Sequence, residues 1–128
     1  MKRIILSIVA VVCVNIGLAQ ERFTIGELTY EVIDSNRVEV DRCSISATAV
    51  VIPDSLQLDG KTYTVSRIGT EAFKDCSRLD SVIIPSSVAT IGMHSFLCCR
   101  RLKSVVISYG VKTIGYGAFS GCISLTAI

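Results

Sequence analysis

Cysteine and histidine are the residue types here that could bind a metal or pair a nucleophile with its base. His94 and Cys98 are four residues apart, a spacing that could bring both side chains to one side of a turn. Even a catalytic zinc site takes about three protein ligands, and only these two stand close together. No glycine-rich phosphate loop, paired-carboxylate arrangement or Ser-His-Asp framework stands out. We therefore predict no catalytic, cofactor or metal site, and no enzymatic activity.

The five cysteines from Cys43 onward differ in their spacing. Cys76, Cys99 and Cys122 follow one another at intervals of 23 residues, which predicts a column of small buried side chains. Cys98 and Cys43 fall outside this column, and Cys98 is expected to be exposed. A Cys43–Cys98 disulfide is an open alternative in an oxidising compartment, and the odd count leaves at least one free thiol.

These spacings belong to an internal repeat with a period of 23 residues. Two full copies cover residues 68–90 and 91–113, and a partial copy covers 114–128. The aligned columns are Ile68, Ile91 and Ile114; Phe73, Phe96 and Phe119; the three cysteines; Leu79, Leu102 and Leu125; and Val82, Val105 and Ile128. One such unit cannot bury its own apolar side, so the copies are expected to stack into a solenoid with like residues in contact.

Each unit is predicted to contain a strand and a turn on the opposite side. Val82 and Ile84 share the inward face of the strand because side chains alternate, and Ile83 must point outward. The glycine after each leading isoleucine is expected to adopt unusual backbone angles. Alanine or serine followed by phenylalanine, as at 72–73 and 95–96, suggests a short helical or 3₁₀ turn.

The stretch IGTEAFKDCSRLDSVIIP at 68–85 resembles the repeat of the BspA-type bacterial surface leucine-rich repeats, I-G-x-x-A-F-x-x-C-x-x-L-x-x-I-x-I-P. The resemblance is strong over 68–128 and weaker over 50–67. It implies an α/β fold: a short right-handed solenoid with parallel strands on a concave face and 3₁₀ or helical turns on the convex side. It also implies a cell-surface or secreted, adhesin-like role.

The segment before the full repeats is predicted to cap the stack. Alternating residues in 28–32 and 38–41 flank a polar turn, which indicates a β-hairpin, and we assign residues 20–49 to an N-terminal β cap. Residues 50–128 form the solenoid, with an irregular repeat at 50–67. Asp59-Gly60 indicates a small inserted hairpin there, a plain surface loop being the alternative.

Residues 1–19 are predicted to be a secretory signal peptide. Lys2 and Arg3 precede an apolar run at 4–16, which is shorter than the roughly 20 residues that span a bilayer. Without those two cations, the 13 lysines and arginines fall to 11 and balance 11 acidic residues. We therefore expect a secreted or cell-surface protein with no integral membrane segment in the mature chain and no nucleic-acid partner.

Two surface features are candidates for binding. Val51, Ile83 and Val106 occupy one outward strand column, and exposed apolar patches often mark interaction sites. Strand propensity alone could also explain these residues, because Val and Ile favour pleated backbone. The flanking serines of this candidate face are Ser81, Ser104 and Ser108.

The second feature is a basic cluster of Arg100, Arg101 and Lys103. It is either a solvated turn or a weak patch for acidic sugars or proteins. Together these features predict a protein-binding or adhesion module with an unidentified protein or glycoprotein ligand. The alternative is a structural or self-associating repeat protein without a ligand, because the last repeat stops at Ile128 and would leave apolar side chains uncovered.

Overall fold

The computed structural model describes residues 21–128, so the predicted signal peptide lies outside the described residues. Ten strands and their connecting turns make up this part of the chain. In chain order they are β1 Arg22–Ile25, β2 Leu28–Asp34, β3 Arg37–Cys43, β4 Ala49–Val51, β5 Ser55–Leu58, β6 Lys61–Ile68, β7 Ser81–Ile84, β8 Thr90–Ile91, β9 Ser104–Ile107 and β10 Thr113–Ile114.

Two sheets run along the stack of coils. The three-stranded sheet has the order β4-β7-β9, and all its strands are parallel. The seven-stranded sheet has the order β1-β2-β3-β6-β8-β10, with β5 on β6. Ile68 pairs with Ile91, and Ile91 with Ile114, so the register follows the sequence repeat. The predicted leucine-rich-repeat architecture with parallel strands is therefore confirmed.

The turn region of each coil is a ladder of single turns rather than a helix. The Ala72 N–H donates to the carbonyl three residues earlier at 3.3 Å, whereas the next N–H, of Phe73, donates to Ser95 O in the following coil at 2.6 Å. A helix would need every N–H to point along its own chain. Glu71 and Asp75 also have positive φ, 59° and 60°, which a right-handed helix excludes.

The predictions of helical or 3₁₀ turns and of an α/β class are therefore wrong for the described residues, which contain strands and turns only. The physical reason is that alternate N–H groups bond between coils. The small residue before each phenylalanine faces the core, as a helical residue could, but the backbone around it is not helical. The inward column of this position is Ala72, Ser95 and Ala118.

The prediction that the repeated glycines adopt unusual backbone angles is also wrong. Gly69, Gly92 and Gly115 are absent from the glycines with positive φ. A Cβ on Gly92 would lie 2.8 Å from the carbonyl carbon of Gly69, and one on Gly115 would lie 2.6 Å from the nitrogen of Met93. Glycine is needed here because the backbones of successive coils touch, so the constraint is steric.

The predicted cap hairpin is present as β2 and β3, which pair antiparallel. β3 then pairs parallel with β6, so the cap extends the seven-stranded sheet instead of lying across the end of the coils. Its core includes Phe23 and Tyr30, whose ring centroids are 5.6 Å apart, and the fully buried Val38 and Val40. Because the cap shares a sheet with the repeats, the domain boundary at residue 50 stays a prediction.

The hairpin predicted around Asp59-Gly60 is confirmed. β5 and β6 pair antiparallel, with Leu58 opposite Lys61 across the turn. Asp59 and Gly60 both have positive φ, 53° and 79°, as a two-residue turn matching the twist of its strands requires.

Burial falls along the stack. Ile68 and Ile91 are fully buried, whereas their counterpart Ile114 is 52% exposed. The phenylalanine rings form a continuous stack in the core, with centroid distances of 4.6 Å between the first pair and 5.1 Å between the second. The last ring, of Phe119, is only partly buried because no coil covers it among the described residues.

Candidate protein-binding face

The outward column of the three-stranded sheet carries three exposed β-branched side chains. Val51 pairs with Ile83, and Ile83 with Val106, so the three stand in register across β4, β7 and β9. They are 65%, 43% and 53% exposed. Val82, the neighbour of Ile83 on β7, points to the opposite face and is buried. We call these three residues the apolar stripe. The structure places them together and outward, as the alternation predicted.

The three flanking serines are not equivalent. Ser81 and Ser104 pair in register and are half-buried on the same face as the apolar stripe. Ser108 donates its hydroxyl to Ile84 O at 2.7 Å, which ties it to the backbone of the preceding coil. Ser81 and Ser104 are therefore the better placed of the three to meet a ligand.

A groove of about 300 Å³ adjoins the stripe at its N-terminal end. The β1–β2 turn of the cap forms one wall, and Val50, Val51 and Pro53 form the other. Leu28 and Tyr30 also line it. No sequence pattern predicts this groove, because it exists only where the cap packs beside β4.

The basic cluster is exposed, but its cations differ in their surroundings. Lys103 lies 3.7 Å from Asp80 of the preceding coil and is neutralised by it. Arg100 and Arg101 have no acidic partner within ion-pair distance among the described residues. The structure adds Arg78, which occupies the same repeat column as Arg101 and is also exposed. The repeat alignment could have revealed this fourth cation.

His94 and Cys98 lie in the same turn and make separate contacts. Both have positive φ, 54° and 62°, because they occupy the two left-handed positions of their turn. The imidazole packs edge-on against Tyr116 at 5.7 Å between ring centroids, and the thiol is half-buried. No group of three or more potential metal ligands occurs within residues 21–128.

The cysteine column is a ladder of hydrogen-bonded thiols. Cys99 donates to Phe73 O and Cys122 to Phe96 O, each at 3.0 Å. Burial raises the pKa of Cys99 to about 12 and also raises the pKa of Cys122. Cys76 and Cys99 are buried, as the repeat predicted, whereas Cys122 in the last coil is half-buried.

Cys43 contacts Cys76, the first member of this column. Its carbonyl lies 3.9 Å from the sulfur of Cys76, and both side chains are buried. A hydrogen bond with Cys76, together with burial, raises the pKa of the Cys43 thiol, and the same bond lowers the pKa of Cys76. All five cysteines of the described residues are free thiols, so the Cys43–Cys98 bridge is not formed.

The outer face of the seven-stranded sheet has a different character. Two of its arginines are paired with carboxylates: Arg22 lies 3.3 Å from Asp41, and Arg67 lies 3.8 Å from Glu39. Desolvation raises the pKa of Glu39 against the opposing effect of Arg67. This charged and partly paired face differs from the apolar stripe.

Comparison with known proteins agrees with this architecture. The family model of the BspA type leucine rich repeat region matches residues 42–128, with six copies. The chain belongs to this family. The sequence is 34% identical to a leucine-rich repeat protein of known structure from Bacteroides ovatus, covering 83% of this chain and 29% of that one, with a TM-score of 0.77.

Two further solved structures of the leucine-rich repeat type are similar. A leucine-rich cell surface protein from Faecalibacterium prausnitzii is 28% identical over 88% of this chain and 31% of that one, with a TM-score of 0.75. The leucine-rich repeat protein of T. pallidum is 33% identical over 80% and 47%, with a TM-score of 0.70. This chain thus spans less than half the length of each of these relatives.

No curated protein matches the sequence. The described residues also contain no helix of the length and apolar character needed to cross a membrane.

Proposed function

We propose that this chain is an exported, non-enzymatic binding module that holds a protein or glycoprotein partner on the apolar stripe. The observation that carries the proposal is the in-register exposure of Val51, Ile83 and Val106 on one sheet face. A contiguous exposed apolar patch of this kind is typical of an interaction site. The adjoining groove continues the apolar surface onto the cap.

A location at the bacterial cell surface is part of the same proposal. The predicted signal peptide at 1–19 supports export, and a similar structure is that of a cell surface protein. Adhesion follows as the role of a surface-located binding module. Because the chain spans less than half of its similar structures, the activity of the whole protein is likewise a proposal.

The test must separate binding from strand propensity. We would replace Val51, Ile83 and Val106 together by Thr, which keeps β-branching and therefore strand preference while adding a hydroxyl. Ile114→Thr is the matched control, since Ile114 is similarly exposed but lies in the other sheet. Surface plasmon resonance against purified host matrix glycoproteins and purified bacterial surface proteins provides the measurement.

We expect at least one protein of the panel to bind, and the triple variant to lose at least about tenfold in affinity, which corresponds to about 1.4 kcal/mol. The control variant should bind as the parent does, and circular dichroism should show both variants folded. Equal binding by the folded triple variant, or no binder in the panel, would remove the proposal.

Self-association is a second candidate, favoured by the open face of the last coil. The N–H groups of Gly117, Phe119 and Gly121 have no acceptor among the described residues, although their counterparts in the two earlier coils donate to the next coil. Large apolar side chains are exposed around them. They include Ile114, Ile123 and Ile128. A second copy of this chain would cover this face.

Sedimentation velocity over a wide concentration range tests that candidate. We expect concentration-dependent dimerisation that Ile123→Lys abolishes, because a buried lysine without a partner is costly. A monomer at every concentration would exclude self-association through the last coil.

A further inference from the structure

Two like charges occupy one repeat column on neighbouring coils, just before the strands that carry Ile83 and Val106. Arg78 and Arg101 share a repeat column, and the strands they lead into, β7 and β9, are adjacent and parallel. Neighbouring strands lie about 4.8 Å apart, so the two backbones are close. Like charges facing each other across such a pair destabilise it. The exposed pair has no acidic partner among the described residues.

A nearby repeat column carries opposite charges on the two coils instead of like charges. Two residues further along the chain, Asp80 and Lys103 stack in the same way but carry opposite charges, at 3.7 Å. Arg100, next to Arg101, adds a third exposed guanidinium without an acidic partner within residues 21–128. The chain as a whole is nearly neutral, so the positive charge is local to this border of the sheet.

The arginine pair lies where a ligand on the stripe would reach it. Arg78 is three residues before Ser81, and Arg101 is three residues before Ser104, at the start of the strands that carry Ile83 and Val106. The stripe residues Ile83 and Val106 follow the arginines by five residues, which is at most about 17 Å of extended chain, and an arginine side chain reaches several ångströms from its backbone. One extended segment running along β7 or β9 could therefore touch both features.

We infer that the partner segment is an extended acidic peptide, with apolar side chains on the apolar stripe and carboxylates on Arg78 and Arg101. This inference rests on the proposed function and names its partner class. A guanidinium binds a carboxylate through two parallel N–H···O bonds, which supplies geometry as well as charge. The stripe consists of Val and Ile side chains, which offer no hydrogen bonds to sugar hydroxyls. A peptide therefore matches the whole surface better than a sulfated glycan.

The probe is a synthetic peptide with Glu at every second position of one half, Val at every second position of the other half and Ser in between, so that Glu and Val share one face of the extended chain. Isothermal titration calorimetry measures its affinity for the full-length protein. The double variant Arg78→Gln/Arg101→Gln removes both charges. The variant Arg78→Lys/Arg101→Lys keeps the charges but removes the planar fork. Arg42→Gln is the matched control, because Arg42 is equally exposed without an ion pair, on β3 of the other sheet.

We expect the Gln pair to lose at least about tenfold in affinity and to lose most of the salt dependence of binding. The Lys pair should fall between the parent and the Gln pair, and Arg42→Gln should bind as the parent does. The same peptide with Lys in place of Glu should bind much more weakly than the Glu peptide.

Three results would overturn the inference. They are equal binding of the Glu peptide by the Gln pair, equal binding of the Lys and Glu peptides, and binding of heparin where the Glu peptide fails. The last result would assign the surface to sulfated glycans. A further outcome separates the two proposals. The arginine variants could still bind a protein of the surface plasmon resonance panel that the Thr triple variant no longer binds. In that case the proposed function stands and the inference about acidic peptides fails.

Discussion

The two ends of the stack carry the same repeat in opposite surroundings. At the N-terminal end, β3 of the cap pairs with β6, and the Cys43 N–H donates to Ala72 O at 2.9 Å. Ile68 and Phe73 are fully buried there. At the C-terminal end, the equivalent residue Ile114 is half exposed, and the turn N–H groups lack acceptors within the described residues.

The direction in which a side chain points and the depth to which it is buried have different causes in this stack. The column fixes which way a side chain points, because every coil repeats the same backbone. The next coil fixes how deeply the side chain is buried. The backbone hydrogen bonds of the turns at 71–75 and 94–98 also have a direction, because alternate N–H groups there donate to the following coil.

The largest loss of stability is expected from truncation of the central phenylalanine. Phe96 lies between two stacked rings, so Phe96→Ala leaves a cavity that the coils above and below cannot both fill. We expect a loss of about 3–5 kcal/mol in the free energy of unfolding, measured by urea denaturation. Phe119→Ala at the open end should cost clearly less. Equal losses at the two positions would mean that the last coil is as well covered as the middle one.

Alanine in the glycine column should also destabilise the two ends of the stack to different extents. Gly92→Ala forces a Cβ against the backbone of the first full coil, which the cap holds in place, and should cost about 1–3 kcal/mol. Gly115→Ala makes a similar contact with the middle coil, but the uncovered last coil can move away. Thermal unfolding should therefore show a smaller loss for Gly115→Ala, and the reverse order would contradict the steric explanation.

Removing a buried hydroxyl should act in the opposite direction. Ser95 is fully buried, and its hydroxyl has no hydrogen-bond partner, while the same column holds alanine in the coils on either side. We expect Ser95→Ala to stabilise the protein by on the order of 1 kcal/mol. Ser124→Ala in the last coil, where the serine is partly exposed to water, serves as the control and should be near neutral. A destabilised Ser95→Ala would imply an unseen partner for that hydroxyl.

The thiol ladder predicts an effect on stability that is absent at neutral pH and appears only in alkali. The pKa of Cys99 is about 12 in the folded protein, against about 8.5 for an unfolded thiol. Between these values the unfolded chain releases a proton that the native state keeps, so stability falls as pH rises. Cys99→Ala should flatten this decline in unfolding midpoints from pH 8 to 11, roughly the span between the two pKa values. Cys122→Ala at the open end should flatten it less.

Much of the fold could be predicted because the repeat is regular. The aligned columns and the strand alternation placed Phe73, Leu79 and Val82 in the core and Ile83 outward, and the structure agrees. The alternation that made those strands recognisable also located the apolar stripe. The cap hairpin and the Asp59-Gly60 hairpin followed from local signals, the alternating residues and the turn residues.

The failures have a common origin in contacts between coils. Alternate N–H groups of the 71–75 turn leave their own chain, and no pattern in the sequence distinguishes that ladder from a short helix. Gly92 is explained by the neighbouring backbone and not by its own angles. The position of Cys43 beside Cys76, and the groove at the cap, depend on how the cap docks and leave no periodic signal.

The hydrogen-bond polarity of the turns bears on how such a protein can change its length. Duplicating residues 91–113 within the chain would reproduce every donor and acceptor between neighbouring coils and leave both ends as they are. Each duplication would lengthen the sheet by about 4.8 Å and add one outward valine and one outward serine to the face. The reach of the binding surface could thus evolve in fixed increments, as a gene gains or loses copies, without redesign of the core.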